Sequence, residues 1–232
     1  MLNKNKHKLV MTQIVKDIYA DISISSLLGF KGGTAAYFFY ALPRFSVDLD
    51  FDLLEDSDEN RSLVFEKIEK ILLKYGEIKD SQKKFSTIFF ALSYGAGEHQ
   101  IKVEVNTRKT GAHYGMQSYF GIPVLVVTKA SMFAGKLMAL TGRKIFAARD
   151  LYDTYFFLKQ GWDMERDVFV AYGEKSVKDY LGKCITLVEN VPTNKMLVGL
   201  GELVDEKEKT FVRNKLKEEV LFLLKVYRDN EK

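Results

Sequence analysis

The amino-acid sequence predicts an α+β protein, with strands and helices in an N-terminal lobe and almost only helices in a C-terminal lobe. Two observations lead to this fold class. Up to about residue 125, short alternating or continuous apolar segments lie between helical patterns, which is typical of strands. After Thr128, apolar residues recur at helical spacing nearly to the end of the chain. We therefore divide the chain into residues 1–125 and 126–232.

The composition is that of a globular protein with a sizeable core. Apolar residues make up 47% of the 232 residues and charged residues 28%. No apolar run reaches the roughly 18 residues needed to span a bilayer, and no apolar segment follows the basic N-terminus. We therefore expect a cytoplasmic protein without a membrane partner. The single cysteine, Cys184, excludes an intramolecular disulfide, and its thiol is expected to be buried and reduced.

The first element is predicted to be an amphipathic helix over residues 6–24. Its apolar residues recur at steps of four: Val10, Ile14, Ile18 and Ile22. Gly32 and Gly33 then predict a turn, followed by a short buried helix, "TAAYFFYAL". Thr34 is expected near the N-cap of this helix, and Pro43 is expected to end it.

The rest of the N-terminal lobe is predicted to alternate between strands and one further helix. The segment "FSVDLDFDLL" has the period of a half-buried strand, and Glu59–Tyr75 fits a second amphipathic helix. The segments "FSTIFFALSY" and "HQIKVEVNT" are predicted to pair as strands through the turn "GAGE". A last short strand, "IPVLVVT", precedes the helical region.

Three aspartates on the first of these strands are the main candidates for chemistry. Asp48, Asp50 and Asp52 alternate with apolar residues, so their side chains point to one face of the strand. Three close carboxylates repel one another unless a cation binds, and Mg²⁺ prefers one or two carboxylates with phosphate and water. An isolated D-x-D pattern is also compatible with the solvated face of an edge strand.

Two neighbouring features favour a ligand site over a solvated face. Gly32 and Gly33, at the start of a helix, would present backbone N–H groups to a phosphate, although a Gly-Gly pair by itself indicates only a turn. Glu104 lies within the apolar segment "IKVEVN". Burial of a single glutamate is costly, so Glu104 needs a cation or a solvated cleft.

These residues resemble the first motif of the AbiEii-type nucleotidyltransferases, the toxin partners of many bacterial toxin–antitoxin and abortive-infection pairs. The family pattern is G-G-T, a short helix and R-x-S-x-D-hydrophobic-D, and it is matched without departure by Gly32, Gly33, Thr34, Arg44, Ser46, Asp48 and Asp50. A later family pattern, K-x-x-A-L-x-x-R followed by R-D-x-x-D, is matched by Lys136, Ala139, Leu140, Arg143, Arg149, Asp150 and Asp153.

Without the resemblance, the second set has ordinary interpretations. Lys136 in an apolar helix could extend its ammonium to solvent, and Arg149 with Asp153 could form an intrahelical ion pair. The resemblance implies instead that Lys136 contacts nucleotide phosphates. It also implies that one aspartate of "RDLYD" belongs to the active site, and we favour Asp153 over Asp150.

The resemblance implies a nucleotidyltransferase-type mixed sheet with a helical lobe that completes the active-site cleft. It also implies Mg²⁺ (or Mn²⁺) and an NTP substrate. The predicted metal ligands are Asp48, Asp50 and Glu104. The predicted catalytic residues are these three with Lys136 and Asp153. The predicted nucleotide-binding residues are Gly32, Gly33, Thr34, Arg44, Ser46 and Arg143. Asp52 lies beyond the family motif and could equally belong to a solvated surface.

The predicted reaction is transfer of a nucleoside monophosphate to an acceptor hydroxyl. The resemblance implies RNA as the acceptor, with the 3′ end of tRNA as the best example, and a cognate antitoxin as partner. The segment from Lys136 to Arg149 holds four cations and no acid, so it could follow RNA phosphates. Two alternatives remain: transfer to a protein hydroxyl, and a non-catalytic module that binds a nucleotide or a partner.

Overall fold

The computed structural model describes residues 2–231, which contain seven β-strands and nine α-helices. The strands form one mixed sheet in the order β3-β4-β5-β2-β1-β7-β6. This architecture confirms the predicted α+β class. The chain divides into two compact units. The first consists of the chain up to Ala41 with Phe45–Lys109 and Tyr114–Val127, and the second of Leu42–Arg44, Thr110–His113 and the chain from Thr128 onward.

The bounds of the elements follow the chain order. The strands are β1 (Leu28–Lys31), β2 (Leu49–Leu53), β3 (Glu77–Lys84), β4 (Thr87–Ser93), β5 (Ile101–Asn106), β6 (Tyr114–Tyr119) and β7 (Ile122–Val127). The helices are α1 (Lys4–Ala20), α2 (Gly32–Phe39), α3 (Asp58–Leu72), α4 (Lys129–Gly142), α5 (Ala148–Lys159), α6 (Arg166–Ala171), α7 (Val177–Asn190), α8 (Glu206–Asn214) and α9 (Leu216–Asn230).

The sheet lies wholly in the first unit and combines parallel and antiparallel pairs. Strand β2 pairs antiparallel with β1 and parallel with β5, while β1 pairs parallel with β7. The β3–β4, β4–β5 and β6–β7 pairs are antiparallel. One face of the central strands is apolar and buried, with Leu49, Phe51, Val103 and Val105 fully shielded from solvent. Because side chains alternate along a strand, the acidic residues of β2 and β5 lie on the opposite face.

The second unit is helical, as the periodicity after Thr128 predicts. Helix α5 packs against α4 and α9, and α7 packs against α9. Phe133, Leu151, Phe157 and Leu224 are fully buried in this helical core. Burial of such large apolar side chains contributes about 1.5–3 kcal/mol each relative to exposure.

Three predicted details of the N-terminal helices are wrong. Helix α1 ends at Ala20, so Ile22 lies in the following turn and is 91% exposed instead of extending the apolar face. Helix α2 begins at Gly32, with Lys31 at the N-cap position. Thr34 is therefore inside the helix, where its hydroxyl donates to the backbone carbonyl of Asp48 instead of capping the helix. Helix α2 also ends at Phe39, before Pro43 is reached.

Three strands, β1, β3 and β6, were not predicted. Strand β1, with the sequence "LGFK", has only four residues, too few to show a period of its own. Strand β3 has the sequence "EIKDSQKK" and is exposed over almost its whole length, and β6 occupies the other edge of the sheet. Edge strands need no continuous apolar face, so the hydrophobic pattern does not mark them. The paired strands β4 and β5, and the strand β7, are where the sequence predicts them.

Two other expectations can be compared with the structure. Cys184 is fully buried, and burial raises the pKa of its thiol to about 12. Within residues 2–231, every helix is too short or too polar to serve as a membrane span.

Candidate active site

The carboxylates of β2 and β5 lie side by side because the two strands pair in register. Asp50 is the partner of Glu104 on one side and of Lys31 on the other. Opposite residues in paired strands point to the same face, so these three side chains share one face of the sheet. Asp50 and Glu104 are both half-buried. Two of the predicted metal ligands are therefore neighbours in the sheet.

The Gly-Gly segment lies directly beside Asp50. Gly32 has a φ of 77°, in the left-handed region that favours glycine. A Cβ atom on Gly32 would also overlap the Asp50 carboxylate. Two independent constraints therefore select glycine here. The first N–H groups of α2, which have no intrahelical partner, begin next to this carboxylate.

Asp48 precedes β2 and is also half-buried. Its backbone carbonyl accepts the hydroxyl of Thr34, so α2 is tied to the segment that carries Asp48. Ser46, two residues earlier, is buried. The sequence motif G-G-T…S-x-D-x-D is thus gathered around the start of α2 and the start of β2.

Asp52 differs from the other two aspartates, and the suggestion of a solvated surface is wrong for it. Asp52 is only 3% exposed. One of its oxygens, Oδ1, accepts from the ammonium of Lys31 and from Asn106 Nδ2 at 2.7 Å. The other oxygen, Oδ2, accepts the hydroxyl of Tyr114. Asp52 is therefore the centre of a buried polar network, with both oxygens engaged by side chains of three different strands.

Gly29 makes this network possible. A Cβ atom at Gly29 would overlap the ring of Tyr114, so only glycine lets this ring cross β1 to reach Asp52. Tyr114 lies 62 residues after Asp52 in the chain. Sequence reasoning missed Tyr114, Asn106 and Lys31. Only the glycine of the "LGFK" strand could have indicated a close approach.

The residues predicted from the later motif, together with Arg44, lie in the second unit. Arg44 binds both oxygens of Asp153: Nε lies 2.5 Å from Oδ1 and Nη2 lies 2.6 Å from Oδ2. The ammonium of Lys136 lies 2.9 Å from Asp153 Oδ2. Arg44 is 2% exposed and Asp153 is fully buried. Although the spacing alone favours Arg149 as partner, the structure pairs Asp153 with Arg44 and Lys136.

Asp150 extends the same network. Lys136 Nζ lies 3.0 Å from Asp150 Oδ1, and Arg143 Nε lies 2.5 Å from Asp150 Oδ2. Burial by itself would raise the pKa values of Asp150 and Asp153, but the adjacent cations outweigh it and lower both. Both aspartates are thus held as carboxylates. Three cations face two carboxylates, and the Arg143 side chain, 43% exposed, carries the accessible positive charge.

Another cluster of ligand-type side chains lies in the second unit. His113 Nε2 lies 3.0 Å from Asp167 Oδ2, and His113 Nδ1 lies 3.4 Å from Glu165 Oε2. Each ring nitrogen faces a different carboxylate. Among residues 2–231, this cluster brings three potential ligand atoms within 4.8 Å of one another, whereas Asp48, Asp50 and Glu104 do not form such a group. Sequence reasoning did not identify it.

A surface cavity of about 590 Å³ is lined by Phe146, Lys183, Leu187, Val191 and Lys195 of the second unit. None of the predicted site residues lines it. The candidate site is therefore defined by side-chain chemistry and strand register instead of by the size of a cavity.

Comparison with known proteins gives a family match over most of the chain. Residues 19–222 match the model of the family described as nucleotidyl transferase AbiEii toxin, Type IV TA system. None of the curated proteins matches the chain.

Solved structures show the same fold at low sequence identity. The protein JHP933 from Helicobacter pylori has a TM-score of 0.56 and 19% identity, covering 99% of this chain and 97% of its own. A second Helicobacter pylori structure, of a candidate nucleotidyltransferase, has a TM-score of 0.57 and 18% identity, with 97% of each chain covered. An antigenic nucleotidyltransferase-like protein from Paracoccidioides brasiliensis has a TM-score of 0.50 and 13% identity, covering 89% of this chain and 97% of its own.

Proposed function

Since the chain belongs to the AbiEii family of nucleotidyl transferase toxins of type IV toxin–antitoxin systems, we propose that it transfers a nucleoside monophosphate from an NTP to an RNA hydroxyl. The proposed acceptor is the 3′ end of tRNA. The proposed cellular role is that of a toxin in the cytoplasm, paired with a cognate antitoxin and active in abortive infection.

One observation carries the proposal: Asp50 and Glu104 are register partners on the sheet face that the start of α2 borders. Backbone N–H groups at a helix start favour phosphate, while adjacent carboxylates favour a hard cation. A helix start that favours phosphate, next to carboxylates that favour a cation, fits a metal-bound triphosphate. We assign the triphosphate to the segment Gly32–Thr34.

The oxygen-only donor set of Asp48, Asp50 and Glu104 fits Mg²⁺ (or Mn²⁺). The ligand atoms of these three carboxylates are not gathered within 4.8 Å of one another in the described residues. We therefore infer that Asp48 and Asp50 hold the ion together with phosphate oxygens and water. When bound, the ion would stabilise charge on the transferring phosphoryl group. Glu104 is then left to accept the proton of the attacking hydroxyl.

The network of the second unit has a positioning role in this proposal. Asp153 has both oxygens engaged by Arg44 and Lys136 and a lowered pKa, so it is a poor proton acceptor. It instead fixes the two cations. Arg143, whose side chain is partly exposed, is the proposed contact for a phosphate group.

Labelling with NTPs tests the reaction. Purified protein is incubated with each α-labelled NTP, Mg²⁺ and total cellular RNA, and the same assay is run with Asp50→Ala. The control is Asp56→Ala, which removes an aspartate paired with Arg61 on the surface of the same unit. Label on RNA that is lost in Asp50→Ala and with EDTA, but kept in Asp56→Ala, supports the proposal.

Other results would point to the alternatives. Label only on protein would identify a protein-nucleotidylating enzyme, and NTP binding without any label would identify a non-catalytic module. Toxicity has a separate test: expression of the chain alone should slow growth, and Asp48→Ala should restore it. Equal growth of both strains would contradict the toxin role.

A further inference from the structure

The β3–β4 hairpin carries a lysine–aromatic pair on each of its faces. On one face, Lys84 Nζ lies 4.9 Å from the centre of the Phe89 ring. On the other face, Lys83 Nζ lies 4.7 Å from the centre of the Phe65 ring, which belongs to α3. Both lysines are exposed. The two pairs have the same chemistry and differ in the side of the sheet that they occupy.

Strand register places the Lys84–Phe89 pair on the same face as the proposed metal ligands. Glu104 is the partner of Asp50 on β2 and also of Phe89 on β4. Asp50, Glu104 and Phe89 therefore form one row across three strands. Two strand spacings separate Asp50 from Phe89, which is about 10 Å.

The same hairpin exposes a second aromatic ring. Phe85 lies in the turn between β3 and β4 and is 96% exposed. Its backbone carbonyl accepts from Arg61 Nη1 at 3.2 Å, so the turn is held against α3 while the ring faces solvent. Phe89, in contrast, is half-buried. Lysines interleaved with accessible aromatic rings are the features by which proteins bind single-stranded nucleic acid without reading its sequence.

We propose that Phe89 and Lys84 form the acceptor subsite, which binds the single-stranded 3′ end of an RNA. A base stacks on the Phe89 ring, and Lys84 leaves this ring to contact a backbone phosphate. At about 3.4 Å per stacked nucleotide, the 10 Å to Asp50 corresponds to roughly three nucleotides. The terminal hydroxyl then lies beside the carboxylates. This inference rests on the proposed transfer reaction but concerns a different ligand from the NTP.

The test measures binding of a fluorescent single-stranded oligoribonucleotide with a free 3′ hydroxyl by anisotropy. Phe89→Leu should weaken binding about fivefold or more, since stacking contributes at least about 1 kcal/mol per base. Lys84→Gln should weaken binding and lower the slope of log Kd against log salt by about 0.7, as expected for one lost phosphate contact.

The opposite face supplies matched controls. Lys83→Gln and Phe65→Leu remove the equivalent pair and should leave RNA affinity and salt slope unchanged. Phe89→Tyr keeps a ring and should bind RNA within twofold of the unmodified chain, which makes the test independent of whether Phe89→Leu folds. Asp50→Ala should bind RNA normally, so a failure of catalysis is distinguished from a failure of the acceptor subsite.

Equal losses in Lys83→Gln and Lys84→Gln would indicate general charge attraction and would overturn the proposal. Unchanged RNA binding in both Lys84→Gln and Phe89→Leu would overturn it as well. A third result would also overturn the proposal: label transferred to protein in place of RNA, at the same rate in Phe89→Leu and in the unmodified chain. The acceptor would then be a polypeptide.

Discussion

Replacement of Asp153 by asparagine should strongly destabilise the second unit. The substitution keeps the shape of the side chain but removes the charge that balances Arg44 and Lys136. Arg44 is 2% exposed and the Lys136 side chain 13%, so water compensates little. Removal of one member of a buried ion pair typically costs about 3–5 kcal/mol. Asp150 still faces Lys136, which favours the lower part of that range.

The assay is urea unfolding of the purified chain, compared with Asp153→Asn and with the control Asp229→Asn. Asp229 forms an exposed ion pair with Arg228, a type that contributes about 0–1 kcal/mol. For a chain of this size, each kcal/mol of lost stability lowers the thermal midpoint by roughly 2–4 °C. A loss of about 3 kcal/mol, the lower end of the range, should therefore lower the midpoint of Asp153→Asn by about 6–12 °C. The control should shift it by far less.

The pH dependence of this difference provides an independent check. The folded-state pKa of Asp153 is lowered, so its stabilising effect is complete above the ordinary carboxyl pKa of about 3.9. The effect is lost as the pH falls through the lower, folded-state pKa. The gap between the unmodified chain and Asp153→Asn should thus be constant from pH 8 to about pH 5 and should shrink below about pH 4. A gap under 1 kcal/mol at pH 7, or one that grows on acidification, would refute this reasoning.

Three further outcomes follow from other contacts. Asp52→Asn should lower the free energy of unfolding by about 1–3 kcal/mol in urea, since Lys31 and Tyr114 lose a charged acceptor. An unchanged urea midpoint would contradict a stabilising role of the hydrogen bonds to Asp52. Gly32→Ala should abolish nucleotide transfer and destabilise the protein by at least about 1 kcal/mol, because the methyl group overlaps Asp50 at a positive φ. Normal transfer activity would argue against a nucleotide site at Gly32. The Cys184 thiol, with its pKa raised to about 12, should react with a disulfide reagent at pH 8 only on unfolding; rapid reaction of the native chain would show that it is accessible.

Much of the fold could be predicted because hydrophobic patterns are local. The helices after Thr128, the strand around Asp50 and the β4–β5 pair all appear as periodic apolar residues. The family could be recognised for a similar reason, since its motif is continuous from Gly32 to Asp50. The match over residues 19–222 confirms it.

The misassigned elements show where local patterns fail. Strand β3 is polar and exposed because it has a partner on one side only, so its residues satisfy hydrogen bonds without an apolar face. Ile22 continues the apolar spacing of α1 but lies beyond the end of the helix, where periodicity has no structural meaning. Thr34 is a frequent capping residue that is used for a tertiary contact with Asp48.

By itself, the sequence determined the α+β class and the family. The environment of Asp52 was decided by tertiary structure. Asp50 and Asp52 lie on the same face of β2, and the burial of Asp52 among Lys31, Asn106 and Tyr114 could not be predicted from their spacing. Likewise, Asp153 is bound by Arg44, which lies 109 residues away in the chain. The physical reason is that burial and ion pairing depend on partners from distant segments, and neither composition nor periodicity records them.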